Sequence, residues 1–170
     1  MAKIEIIQGD ITKQSVDAIV NAANCSLLGG GGVDGAIHRA AGPELLAECR
    51  TLGGCKTGEA KITRGYKLPA KYVIHTPGPV WHGGNKDEAD KLRSCDRNCL
   101  VLASENGCKT VDFPSISTGV YHFPLEKASE IAIKTIAEYL FEHPEIERVR
   151  MVCFDERTKG YYEKALEKLK

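Results

Sequence analysis

The residues best suited to chemistry surround a run of four glycines, Gly29–Gly32, with Asp34 two residues after it and Asn24 upstream. Glycines allow the backbone to adopt positive φ and to approach a ligand closely. Backbone N–H groups clustered there, and at the start of a following helix, bind phosphate without a lysine. The Asp34 carboxylate can orient a water molecule or accept its proton, and the Asn24 amide can both donate and accept hydrogen bonds. The pattern therefore predicts a phosphate-binding loop beside groups that can activate water.

This glycine loop differs from two common nucleotide-binding motifs. No Gly-Lys-Ser/Thr follows it, as a P-loop requires, and the spacing between Gly29 and Gly35 does not fit Gly-x-Gly-x-x-Gly in its usual context. The alternative to a phosphate-binding loop is a flexible linker, which the position between a predicted strand and a predicted helix disfavours.

A second loop of similar character spans residues 115–121, with a glycine and small hydroxyl residues between a predicted strand and a predicted helix. It can supply further N–H donors, and two such loops at one edge of a sheet would suit a pyrophosphate. The alternative is a plain turn in which Ser117 and Thr118 cap the next helix.

The elements that must position these loops alternate between strand and helix patterns. This alternation predicts an α/β domain with a mostly parallel sheet covered by helices, and a short connection between two strands indicates a hairpin and hence a mixed sheet. The predicted strands are 4–8, 16–22, 60–63, 72–76, 110–116 and 148–154, and the predicted helices are 33–41, 44–52, 86–105, 125–141 and 158–169.

Ligands of such sheets bind in the crevice outside the carboxyl ends of the strands. Four polar or glycine-rich segments follow predicted strands, so we expect them to gather at one edge of the sheet. They are residues 9–12, 21–34, 117–123 and 154–156.

The composition is that of a soluble globular chain, which we interpret as one domain over residues 1–170, with 42% hydrophobic and 27% charged residues. Lys plus Arg and Asp plus Glu number 23 each, so the formal net charge is zero. A partner nucleic acid is disfavoured, because binding through its phosphates usually requires a basic excess.

Seven cysteines, an odd number, argue for reduced thiols. Charged Lys3 and Glu5 stand where a signal peptide would have its apolar core, and no apolar run approaches the roughly 18 residues of a membrane span. We expect a cytoplasmic protein without a membrane contact. Cys95 and Cys99 can share a helix face, but two further ligands at workable spacing are missing, so neither a metal site nor a cofactor is expected.

Five segments together carry a specific resemblance to the MacroD-type macrodomains, over nearly the full length of the chain. The resemblance implies a three-layer α/β/α sandwich around a mixed, roughly six-stranded sheet, a monomer, and ADP-ribose as the ligand. The matching segments are 9–12, 20–24, 29–42, 68–72 and 113–121.

The resemblance also implies how the ligand would be held. Asp10, as a buried carboxylate, would accept a hydrogen bond from the adenine amino group, with Ile11 alongside, and Phe154 would stack on the adenine. From the residues alone, Asp10 could instead be a helix-capping or turn aspartate, and Phe154 a core residue. The diphosphate would lie between the backbone of Gly32 and Val33 and a loop formed by Ser117, Thr118, Gly119, Val120 and Tyr121.

Members of this type hydrolyse the ester that joins ADP-ribose to an acidic side chain of a protein, and deacetylate O-acetyl-ADP-ribose. The implied partners are therefore ADP-ribose, O-acetyl-ADP-ribose and mono-ADP-ribosylated proteins, with Asn24 and Asp34 meeting at the distal ribose. A place in the first turn of a helix favours an ionised Asp34. It would act as an orienting anion or weak base, or share water activation with a substrate phosphate. The alternative is a non-catalytic ADP-ribose reader, which often lacks the aspartate.

One position departs from the family pattern: His122 stands where a glycine is usual. A side chain there makes positive φ difficult, which affects the expected shape of the distal pocket. The imidazole could lie over the distal ribose or point to solvent. His38 and His75, within apolar segments, are interpreted as hydrogen-bonded structural histidines.

Overall fold

The computed structural model describes residues 3–170. Within these residues no helix is both long and apolar enough to cross a membrane. The strands are β1 (Lys3–Gln8), β2 (Ala18–Ala23), β3 (Lys61–Arg64), β4 (Tyr72–Pro77), β5 (Thr110–Phe113) and β6 (Arg148–Cys153). The helices are α1 (Gly32–Ala41), α2 (Pro43–Arg50), α3 (Glu88–Glu105), α4 (Leu125–Glu142) and α5 (Glu156–Lys168), and a short 3₁₀ turn, Ile11–Lys13, follows β1.

The strands form one six-stranded sheet in the order β1-β6-β5-β2-β4-β3. All neighbouring pairs are parallel except β3 and β4, which form the predicted antiparallel hairpin. Because β1, β2, β5 and β6 run in the same direction, their carboxyl ends meet at one edge of the sheet. The four segments that were expected to gather there follow these ends, which confirms that part of the sequence prediction.

Helices cover both faces of the sheet and make three layers. The side chains of β2 show why: Ala18 and Val20 belong to one core cluster, and Ile19 belongs to the other. This alternation follows from the two-residue period of a strand. The first cluster includes residues of α3, α4 and α5, and the second includes residues of α1 and α2. The predicted three-layer α/β/α sandwich is confirmed.

Several predicted boundaries were wrong by two or three residues, and two of these errors have a clear local cause. The strand predicted to reach residue 116 ends at Phe113, because Pro114 has no N–H to donate to the sheet. Helix α3 begins at Glu88 rather than at Lys86, because Asp87 adopts a left-handed backbone with φ of 58°. The shorter β5 leaves the residues after it free to form a loop.

Candidate active site

Asp34 lies in the first turn of α1 and is buried. At the start of this helix, Gly32 adopts a positive φ of 57°, which a glycine reaches without a steric penalty. The amide Nδ2 of Asn21 donates a hydrogen bond of 2.9 Å to Asp34 Oδ1. One helical turn later, His38 Nε2 lies 3.4 Å from the same oxygen. Contacts from both β2 and α1 therefore hold this carboxylate.

Asn24 shapes the turn that leads into the glycine loop. Its Oδ1 accepts hydrogen bonds from the N–H and hydroxyl groups of Ser26 and from the N–H of Leu27. Its Nδ2 donates to the carbonyl of Gly29 at 2.9 Å. An amide nitrogen carries two hydrogens, so one N–H remains for a ligand beyond the contact with Gly29. The sequence prediction had assigned this side chain to the ligand alone and missed its part in the turn.

The two predicted catalytic side chains converge at Gly30. A Cβ atom placed on Gly30 would lie 3.2 Å from Asp34 Oδ2 and 3.3 Å from Asn24 Nδ2. The structure thus brings the carboxylate and the amide close to one small space, and a glycine keeps that space open. By contrast, Cβ atoms placed on Gly31 and Gly32 would meet no atom of residues 3–170 within 4 Å, which leaves room for a ligand beside the loop.

Behind Asp34, a buried polar network joins β2 to β4 and β3. Asn21 Nδ2 lies 3.1 Å from His75 Nδ1, and His75 Nε2 lies 2.9 Å from Thr63 Oγ1 and 3.8 Å from Cys49 Sγ. Burial of the ring, together with the charge of nearby His38, lowers the pKa of His75 to about 3. His75 is therefore a neutral, hydrogen-bonded histidine, as expected. His38 Nε2, however, has no hydrogen-bond partner of good geometry among the described residues.

The second loop follows β5 and is tightly built at its base. Ser117 is buried with a left-handed φ of 66°, and its hydroxyl has no hydrogen-bond partner within residues 3–170. A Cβ atom placed on Gly78 would lie only 2.1 Å from Ser117 Oγ, so this contact requires a glycine. Thr118 is held through its hydroxyl by Ser115 at 2.7 Å. A strained residue fixed in this way is typical of a ligand-binding loop.

The tip of the same loop is open. Val120 is exposed, and a Cβ atom on Gly119 would meet no atom within 4 Å. The carbonyl of Tyr121 accepts a hydrogen bond from the N–H of Trp81 at 2.9 Å, which ties the end of the loop to the segment after β4. Gly119 in this loop, and Gly31 and Gly32 at the start of α1, therefore leave space at the ends of the adjacent strands β2 and β5.

His122 adopts the backbone conformation that a glycine would have. Its φ is 60°, its N–H donates to the carbonyl of Gly119 at 3.0 Å, and its residue surface is exposed. Outside glycine, a left-handed residue costs about 1–2 kcal/mol. His122 thus holds a positive φ at the cost of local strain, and the expected effect on the shape of the distal pocket stays a prediction.

The expected adenine end differs in part from the prediction. Asp10 is exposed rather than buried, and its Oδ1 accepts hydrogen bonds from the N–H and hydroxyl of Thr12, at 2.9 and 2.7 Å. These bonds lower the pKa of Asp10 and make it the cap of the 3₁₀ turn, while both use the same oxygen. Ile11 is buried in that turn. Phe154, 79% exposed at the end of β6, is not a core residue and offers a free aromatic face.

Cavity size alone does not locate this site. A cavity of about 700 Å³ lies at the opposite edge of the sheet, lined by Ser15, Val16 and other residues near the amino ends of the strands. A smaller one of about 380 Å³ lies beside the candidate site and is lined by Cys25 and Ser26. The converging carboxylate and amide, rather than volume, identify the site.

Three residues of the site were not assigned to it from the sequence. His38 carried a usable signal, because it is four residues after Asp34 and so shares a helix face with it. Asn21 and His75 carried none, since their contact depends on the register in which β2 pairs with β4.

Fold and site together define an α/β protein with a carboxylate, an amide and backbone N–H groups at the carboxyl edge of a mixed sheet. The profile of the Macro domain family matches residues 20–132. A macro domain-containing protein of Chlorobaculum tepidum is 64% identical over 163 residues, which cover 96% of this chain and 95% of that protein. The chain therefore belongs to the Macro domain family.

Two further similarities extend over nearly the whole chain. A protein of Enterobacter cloacae named O-acetyl-ADP-ribose deacetylase is 55% identical over 168 residues, covering 96% of this chain and 93% of that protein. The fold matches a solved glycine-to-valine variant of the Oceanobacillus iheyensis macrodomain with ADP-ribose (ADPR), with a TM-score of 0.95 and 44% identity, over 99% of this chain and 94% of that one. The predicted macrodomain fold is confirmed.

Proposed function

We propose that this protein is a hydrolase that binds ADP-ribose, removes the acetyl group from O-acetyl-ADP-ribose, and cleaves ADP-ribose esters of acidic protein side chains. The observation that carries the proposal is the convergence of Asn24 and Asp34 on the space kept open by Gly30. The name of the Enterobacter cloacae relative supports the deacetylase activity.

Binding of the diphosphate depends on backbone groups, because the chain has a formal net charge of zero. The N–H groups of Gly32 and Val33, at the start of α1, lie on one side, and the loop from Ser117 to Tyr121 lies on the other. A helix N-terminus favours an anion through its unpaired N–H groups and its dipole. At the adenine end, exposed Phe154 offers a stacking surface, and Asp10 Oδ2 is not used in capping the 3₁₀ turn.

Asp34 then orients the water that attacks near the distal ribose. Hydrolysis of the ester consumes one water, which supplies a hydroxyl group to one side of the broken carbon–oxygen bond and a proton to the other. The remaining N–H of Asn24 donates to a ribose oxygen and fixes it beside this water. A positioned acid or base typically contributes about 10²–10⁴-fold to the rate. His38, 3.4 Å from Asp34 Oδ1, can stabilise the carboxylate when its ring is protonated.

A non-catalytic ADP-ribose reader is the second candidate. It is favoured by the hydrogen bonds of Asn24 to Ser26, Leu27 and Gly29, because they already give this side chain a structural role in the turn. Under this alternative, the carboxylate of Asp34 binds ribose hydroxyls without activating water.

The two candidates are separated by measuring turnover and binding on the same preparation. Purified protein is incubated with O-acetyl-ADP-ribose and, separately, with a glutamyl-ADP-ribosylated protein, while calorimetry gives the Kd for ADP-ribose. Release of acetate and of ADP-ribose well above the rate of substrate alone supports the hydrolase. Tight binding without release identifies a reader, and absence of binding contradicts both.

A further inference from the structure

A chain of four hydrogen bonds runs from the candidate active site into the sheet, and the Asn21 amide donates in both directions along it. Asn21 Nδ2 lies 2.9 Å from Asp34 Oδ1 and 3.1 Å from His75 Nδ1. A carboxylate only accepts, so one N–H of the Asn21 amide goes to Asp34, and the other goes to His75 Nδ1. This nitrogen must therefore be the unprotonated one, which places the ring proton on Nε2.

The hydrogen bonds on the Nε2 side of His75 agree with this position of the ring proton. His75 Nε2 lies 2.9 Å from Thr63 Oγ1, and the hydroxyl of Thr63 donates to the carbonyl of Arg64 at 3.2 Å. The Thr63 oxygen is thus free to accept the Nε2 proton. The Cys49 thiol, 3.8 Å from Nε2, is a longer and weaker partner on the same side of the ring.

Burial stabilises the hydrogen bonds among Asn21, His75 and Thr63. Asn21 and His75 are fully buried, and Thr63 is 3% exposed, so water does not compete for these groups. Hydrogen bonds are stronger at low dielectric. Because the Oδ1 of Asn21 is buried without a hydrogen-bond partner in residues 3–170, the orientation of this amide depends on the two hydrogen bonds of its Nδ2. The pKa of His75, lowered to about 3 by burial, keeps the ring neutral at any pH used to assay the protein.

We propose that His75 is a positioning residue for hydrolysis: its Nδ1 acceptor fixes the amide of Asn21 so that an N–H, rather than the carbonyl, faces Asp34. With the opposite tautomer, Nδ1–H would attract the Asn21 carbonyl oxygen instead and rotate the amide. Which nitrogen of the His75 ring carries the proton therefore determines the orientation of the Asp34 carboxylate on α1. This inference rests on the proposed role of Asp34 in activating water.

Two substitutions at His75 distinguish the role of Nδ1 from that of Nε2. In His75→Asn, the amide oxygen is as many bonds from Cβ as Nδ1 and can still accept from Asn21. In His75→Gln, the polar atoms lie further out, near the position of Nε2. We expect His75→Gln to lower kcat for O-acetyl-ADP-ribose by about tenfold to a hundredfold through misplacement of Asp34, and His75→Asn to retain most of it. KM and the Kd for ADP-ribose should change little in both.

A second pair of variants leaves the imidazole in place. Thr63→Val removes the acceptor that holds the proton on Nε2. It should lower kcat by roughly threefold to tenfold, because Asp34 is displaced less than when the ring itself is lost. Thr76→Val is the matched control, because this fully buried threonine donates at 2.8 Å to the carbonyl of Glu59 and is not part of the chain of hydrogen bonds to Asp34. Its kcat should equal that of the wild type. Equal kcat in Thr63→Val and Thr76→Val, or in His75→Gln and the wild type, overturns the proposal.

Nuclear magnetic resonance provides a readout that does not need turnover. The ¹⁵N shifts of His75 should show a bare Nδ1 and a protonated Nε2, and the ¹³C shift of the Asp34 carboxyl group should move in Thr63→Val but not in Thr76→Val. A protonated Nδ1, or an unchanged Asp34 signal in Thr63→Val, overturns the positioning role even if the wild type proves to be a reader. If the wild type is inactive but the ¹⁵N shifts of His75 and the ¹³C shift of Asp34 are as expected, only the proposed hydrolysis is overturned.

Discussion

Gly35 of α1 is in direct backbone contact with Gly30 of the glycine loop: a Cβ atom on Gly35 would lie 2.5 Å from the carbonyl oxygen of Gly30. Helix α1 also carries Asp34, and Gly30 separates that residue from Asn24. The contact between the two glycines therefore sets the distance between the loop and the helix, and with it the shape of the candidate active site.

Replacement of Gly35 by alanine should destabilise the fold and displace the loop. Overpacking of this kind costs about 1–3 kcal/mol, and the partner is a backbone oxygen that cannot rotate away. Denaturant unfolding should report this loss, together with reduced hydrolysis. Gly160→Ala is the matched control, because Gly160 lies within α5 with no atom within 4 Å of its added Cβ. It should gain about 0.5–1 kcal/mol. A Gly35→Ala protein as stable as the control contradicts the assigned contact.

Phe154→Ala should weaken ADP-ribose binding without affecting the fold. Stacking of a base on an aromatic ring contributes about 1–3 kcal/mol, so the Kd should rise by about fivefold to 150-fold. The melting temperature should equal that of the wild type, because Phe154 is 79% exposed. Phe141→Ala, at a 90% exposed position near the end of α4, is the control and should bind as the wild type does. Equal affinity of the two variants would argue against adenine stacking on Phe154.

His122→Gly should stabilise the protein slightly. A glycine removes a left-handed strain of about 1–2 kcal/mol but costs about 0.5–1 kcal/mol in unfolded-state entropy, which leaves a gain of up to about 1.5 kcal/mol. His122→Ala keeps the strain and removes only the imidazole, so it should show no such gain. If both variants change the free energy of unfolding equally, the effect belongs to the side chain and not to the backbone.

His75 should make the protein sensitive to acid. Its pKa is lowered in the fold from 6.5 to about 3, so the unfolded chain binds a proton at a higher pH than the folded chain does. This contribution to stability is complete above pH 6.5 and is lost as the pH falls toward 3, by up to about 1.4 kcal/mol per pH unit. Chemical unfolding between pH 4 and 8 should show a shallower loss for His75→Asn, which does not titrate. Identical pH dependence of the two proteins would contradict a buried neutral imidazole.

The sequence predicted the features that depend on neighbouring residues, and missed those that depend on register. Strand and helix periodicity gave the mixed, helix-covered sheet, and the strand ends placed Asp34 and Phe154 at one edge. Asn21 and His75, in contrast, are 54 positions apart and lie in two apolar strands, where no local pattern marks them as partners. The strand after residue 109 was predicted too long because its apolar run outweighed Pro114.

Asn24 also carries a local sequence signal for a turn. An asparagine side chain that bonds to the backbone two or three residues later is a common turn device, and Asn24 does this with Ser26 and Leu27. The donor and acceptor groups of this amide indicated that it could bind a ligand. Only the folded turn shows that its oxygen is already used in hydrogen bonds within the loop.

The most direct test of the proposed function is a comparison of wild type with Asp34→Asn under single-turnover conditions on O-acetyl-ADP-ribose. The amide keeps an oxygen for the hydrogen bond from Asn21 but has no charge with which to orient water. The account predicts a Kd for ADP-ribose close to that of the wild type and a hydrolysis rate at least about a hundredfold lower. Hydrolysis by Asp34→Asn at the wild-type rate would contradict the role assigned to this carboxylate.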